Sequence, residues 1–147
     1  MLTRQDLIAP SAPRLAVPQV VVPLARLDRP TLGALAFARS ISLDVTALHV
    51  AGDAAEGERM RRRWAERRDG IPLVIVESGR DGLIPHVVAY LDERARGDPE
   101  RPLAIVLAHV VPRPLWSHLL QDQTTLRLKL RLFFRPNTVV VDVPYHV

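Results

Sequence analysis

Gln19-Val20-Val21-Val22-Pro23-Leu24 and, further on, Asp44-Val45-Thr46-Ala47-Leu48-His49-Val50 are the two runs whose reading decides the fold. Both are short and rich in β-branched or apolar residues, as expected of strands buried on both faces. Between them Asp28, followed by Arg29-Pro30, has the form of a helix start. Thr31 to Ile41 then places Leu32, Leu35, Ala36 and Arg39 at helical spacing, with Gly33 permitting close packing on a sheet.

The same strand–helix alternation recurs along the chain. Pro72 to Glu77, Pro102 to Leu107 and Thr138 to Val143 read as a third, fourth and fifth strand. Asp53 and Glu56 have the spacing of a capping box. They open a charged helix that runs to about Arg68, with a thin apolar stripe of Met60, Trp64 and Ala65, and Gly70 closes it. Leu83 to Ala95 is amphipathic, with Leu83, Val87, Tyr90 and Leu91 on one face and Gly97 beyond its end. Leu126 to Leu132 alternates strictly, as a strand would, yet it lacks β-branched residues and consists of good helix formers. Two parallel neighbouring strands require a long crossover, so residues 114–134 are expected to be helical. The expected fold is therefore α/β: a five-stranded parallel sheet with helices on both faces. Residues 1–17, with Pro10 and Pro13 and no periodicity, read as a linker or tail, and 18–147 as one domain.

Composition narrows the function. The 147 residues suit one domain, and no apolar run approaches the roughly 20 residues of a membrane span. No signal peptide is expected, and the absence of cysteine excludes disulfides, thiolate metal sites and a cysteine nucleophile. The chain is expected on the cytoplasmic side. Its net charge is +4, carried almost wholly by arginine, while aromatics make up only 5%. Without stacking platforms, nucleic acid is not an expected partner. The run Arg59, Arg61, Arg62, Arg63, Arg67, Arg68, interleaved with Glu58, Glu66 and Asp69, is a solvated helix face or a surface against anionic lipid.

Ligands of open parallel sheets bind beyond the carboxyl ends of the strands. The loops there lack the glycines of a phosphate cradle, and no glycine follows Gly97. The turn Ser78-Gly79-Arg80-Asp81-Gly82 could hold a phosphate through Arg80, or be an ordinary turn with Ser78 or Asp81 capping the next helix. His49 and His109 end strands two and four, and Asp28 lies beside the first. No metal-site spacing and no G-x-S-x-G elbow accompanies them, so no metal and no catalytic set is expected.

The succession Q-V-V-V-P-L, T-L-G-A-L-A-F-A-R-S-I and D-V-T-A-L-H-V resembles the opening of the universal stress protein fold. Trp116-Ser117-His118-Leu119-Leu120, Gln123 to Leu130 and the closing Val143-Pro144-Tyr145-His146-Val147 look like a narrower group. That group is the C-terminal cytoplasmic domain of bacterial amino acid–polyamine–organocation (APC) superfamily permeases. The resemblance spans about residues 18–147. It implies a Rossmann-like, universal-stress-protein-like domain that regulates or pairs an amino acid or cation permease, without catalysis. It also implies a homodimer, a membrane part in the native chain, and cyclic di-AMP or another adenine nucleotide as a candidate ligand. Arg26, Asp28, His49, Arg80, His109, Gln123 and Thr124 are the candidate binding residues by loop position. The ATP-binding glycine stretch of universal stress proteins is replaced here by Val110 to Pro114 and Asp122-Gln123-Thr124. The alternative is a free-standing universal-stress-like protein that binds an adenine nucleotide.

Overall fold

A computed structural model describes residues 17–79, 82–111, 127, 131 and 135–146. Its elements are β1 (Gln19–Leu24), α1 (Arg29–Ile41), β2 (Val45–Ala51), α2 (Ala54–Ala65), β3 (Leu73–Glu77), α3 (Leu83–Gly97), β4 (Leu103–Val111) and β5 (Thr138–His146). The strands form one sheet in the order β3-β2-β1-β4-β5, and every neighbouring pair is parallel. The expected five-stranded parallel sheet is thus observed, with β4 and β5 longer than the apolar runs that marked them.

Alternate residues of the strands feed two cores. Val20, Val22 and Leu24 of β1 pack with Ala34, Leu35 and Ala38 of α1 and Met60 and Trp64 of α2. Val21, Leu48, Ile105 and Leu107 pack on the other face against Val87 and Leu91 of α3. This split follows from the strand order. The first two crossovers move the same way along the sheet and share a face; the return from β3 to β4 reverses direction, so a right-handed connection places α3 on the opposite face. Burying one such Val or Leu side chain contributes about 1.5–3 kcal/mol.

Local chemistry sets the helix limits. Asp28 caps α1, its Oδ1 accepting from the Thr31 amide at 3.0 Å, with Pro30 in the first turn. Asp53 caps α2 in the same way, accepting from Glu56 N–H at 2.8 Å. The reciprocal bond of the box is displaced by one residue, since Glu56 Oε2 accepts from the Gly52 amide at 2.7 Å. Gly57 is required by packing: a Cβ there would lie 3.1 Å from Ile75 Cγ2 and 3.5 Å from Ala51 Cβ.

Some expectations need correction. The buried stripe of α1 is Thr31, Ala34, Leu35 and Ala38, whereas Leu32, Ala36 and Arg39 are exposed. The small residues face inward because α1 lies close over the sheet. In α2 the inward residues are Gly57, Met60 and Trp64, Ala65 is exposed, and the helix ends there rather than at Arg68. The N-cap of α3 is Gly82 at φ 79°, without a side-chain cap, and the Ser78 hydroxyl donates to Ala51 O instead. The tail 1–16 lies outside the described residues, as does most of the helix expected over 114–134. Within that stretch Arg127 and Arg131 are described, and both are helical and exposed.

Candidate functional site

Toward the carboxyl edge of the sheet the β1–β4 pairing ends early, and a proline explains it. The Gln19 amide donates to Pro102 O and the Val20 amide to Asp44 O, so amides along β1 alternate between β4 and β2. By that alternation the amides of residues 19 and 21 serve β4, and the next would be that of residue 23, which is proline. Accordingly the β1–β4 ladder stops at Val21–Ile105. β1 nonetheless continues on β2 to the Leu24–His49 pair, and β4 on β5 to Val111–His146. This is also where the strand order reverses, the place at which open sheets accept ligands.

His49 lies on β2, across β1 from this break. It is 1% exposed, and its Nδ1 lies 2.9 Å from Leu24 O. A carbonyl only accepts, so Nδ1 carries the hydrogen. Nε2 is buried without a hydrogen-bond partner, 3.7 Å from Glu56 Oε1. The Nδ1 bond fixes the ring, and the other nitrogen is held toward the start of α2.

The remaining candidates divide. Arg26 and Asp28 lie together just past Leu24, with Arg26 Nε 3.8 Å from Asp28 Oδ2. Arg26 is highly exposed, and Asp28 is held by its capping bond. The backbone of His109 lies in β4 opposite Pro144. Arg80, Gln123 and Thr124 lie outside the described residues, as do the motif residues 116–120. The structure therefore brings Arg26, Asp28 and His49 to one edge through the Leu24 carbonyl. Glu56, the group facing His49, was legible only as half of a capping box. His86 also went unremarked; its Nε2 donates to Ser78 O at 3.0 Å and ties α3 to the end of β3. Among the described residues no group of three His, Asp or Glu side chains could hold a metal ion, and no helix is long and apolar enough to cross a membrane.

The opposite edge is closed by ion pairs. Asp44, which precedes β2, meets Arg101 Nη1 at 2.8 Å and Arg94 Nη2 at 3.5 Å. Arg101 Nε also donates to Val17 O at 3.0 Å, and the Ser42 hydroxyl to Pro18 O at 2.9 Å. Beyond α2, Arg67 pairs with Asp69 and stacks on Trp64. Burial raises the Asp69 pKa, but hydrogen bonds from Arg67 and the Ile71 amide, with the Arg67 charge, outweigh it. The carboxyl therefore titrates below the ordinary aspartate value.

Residues 16–145 match the sequence profile described as the KimA potassium transporter C-terminal domain. A curated relative, the potassium transporter KimA of Bacillus subtilis (strain 168), is 28% identical over 129 residues, covering 86% of this chain and 21% of the relative. The chain thus spans about a fifth of the length of the curated relative it matches. Both the profile and the relative are described as potassium transporters and not as amino acid permeases.

Proposed function

Since the chain belongs to the KimA potassium transporter C-terminal domain family, we propose that it is the cytoplasmic regulatory and pairing domain of a potassium transporter. The observation that carries this is the match over residues 16–145, which takes in all five strands but for the last residue of β5. The domain's part is control and not catalysis. It is a universal-stress-protein-like fold that receives an adenine nucleotide at the carboxyl edge beyond β1 and β4, cyclic di-AMP in preference to ATP. Two features support this reading: the β1–β4 ladder ends early at the reversal of strand order, and the strand-end loops lack a phosphate-cradling glycine run.

Pairing with a twin uses β5. It lies at the edge of the sheet, and its odd-numbered residues bond inward, as the bond from the Leu103 amide to Asn137 O requires. The even-numbered amides face outward, and Pro144 removes one of them. Pairing is therefore confined to about Thr138 to Val141.

The alternative, a free-standing nucleotide-binding stress protein, is separated from this reading by calorimetry. Heat with cyclic di-AMP and none with ATP is the expected result. Heat with ATP alone favours the alternative, and silence with both removes the nucleotide.

A further inference from the structure

We infer that the amino edge of the sheet is a docking surface for anionic lipid headgroups, with Leu43 as its apolar anchor. In a parallel sheet each crossover helix runs back against the strands, so α1, α2 and α3 all end at the edge where β1, β2 and β4 begin. The chain also reaches β1 at this edge, through Val17 and Pro18.

Two kinds of residue collect there. Arg39, Arg63, Arg68 and Arg96 are exposed and form no ion pair among the described residues. The carboxylates of that edge are mostly engaged: Asp44 with Arg94 and Arg101, Asp69 with Arg67, Asp92 with Arg135. Glu66, Glu93 and Glu100 remain as the exposed counter-charges. Arginine in a last helical turn is accounted for by the helix dipole alone. Leu43 is not. At 83% exposed it exceeds every other exposed large apolar side chain of the described residues, and Ile41 and Val17 add 39% and 52%.

Leu43 is also rigidly presented. On one side the Ser42 hydroxyl donates to Pro18 O and accepts from the Asp44 amide at 3.0 Å; on the other Asp44 is held by its two arginines. A leucine fixed outward on an edge that also carries unpaired arginines matches an interfacial membrane site, where apolar insertion and attraction to anionic headgroups add. The choice of lipid over an acidic protein rests on the transporter reading, which sets the domain beside a bilayer; the geometry of the edge does not depend on it.

The chain contains no cysteine, so Leu43→Cys accepts a single environment-sensitive dye. Ala55→Cys, exposed in the first turn of α2, carries the same dye at the opposite edge. With phosphatidylglycerol vesicles at low salt, the dye at 43 should shift to the blue and the dye at 55 should not. Neither should respond to phosphatidylcholine. Arg63→Gln and Arg96→Gln should each weaken partitioning about fivefold, with the helical circular dichroism unchanged, and added salt should release the chain. Equal responses at 43 and 55, equal binding to neutral vesicles, or no binding at low salt would overturn the inference. If a second copy covered this edge, Leu43→Ser would lower the mass in light scattering without any vesicle response, which also overturns it. None of these outcomes bears on nucleotide heat, so the two readings fail separately.

Discussion

Trp64 and His49 do the same job at opposite ends of the sheet, and they differ in what each ring leaves over. Each is buried, and each donates a ring N–H to a backbone carbonyl at 2.9 Å, Trp64 to Ile71 O and His49 to Leu24 O. Indole has no second polar atom, so the Trp64 hook is complete. Around it Arg67 stacks on the ring and binds Asp69, whose Oδ1 accepts from the Ile71 amide. Imidazole has a second nitrogen, and that of His49 faces a carboxylate at 3.7 Å without a hydrogen bond. One end is satisfied and locked. The other retains an unpartnered nitrogen turned toward the start of α2.

The contrast can be broken experimentally, and the largest effect belongs to Trp64. Trp64→Ala removes a buried indole together with its hook and should cost about 3–5 kcal/mol in urea unfolding. His49→Leu also loses a buried hydrogen bond and leaves the Leu24 carbonyl bare, but it removes the unpartnered Nε2 as well. It should cost only about 1–2 kcal/mol. A loss for His49→Leu equal to that for Trp64→Ala would make both hooks structural and end the comparison. The smallest effect is an acid limb. Because the Asp69 pKa is depressed in the fold, its contribution is complete above the ordinary aspartate value of about 3.9 and fades as pH falls through the lower folded value. Asp69→Asn should flatten that limb of a stability–pH curve and leave the neutral region nearly level.

Much of this architecture is legible in the chain itself, and the exceptions have physical causes. Runs such as Val20-Val21-Val22 and Leu73-Val74-Ile75-Val76 announce buried strands because only a sheet covered on both faces tolerates unbroken apolar residues. The caps Asp28 and Asp53 are local, and both act as their spacing implies. The stripe of α1 was misread because Ala34 and Ala38 pack better against a close sheet than the larger Leu32, and closeness is a tertiary property. Pro23 stood in plain view, yet its effect depends on which neighbour receives the amide of residue 23. That in turn depends on strand order, which no local pattern encodes. The His49–Glu56 approach was hidden for the same reason: each residue has a sufficient local explanation, one as a strand residue and the other as a capping carboxylate.

Pro23 has a consequence for the order of assembly. β1, β2 and β3 are adjacent in space and consecutive in sequence, so this half of the sheet closes from contacts of modest sequence separation. β4 comes later in the chain and must return to the far side of β1. Until it does, β1 is an apolar strand with one open flank, the kind of surface that recruits other chains. The residue that limits the finished β1–β4 ladder also withholds an amide from that flank until β4 arrives, so one proline acts before the sheet is complete and after.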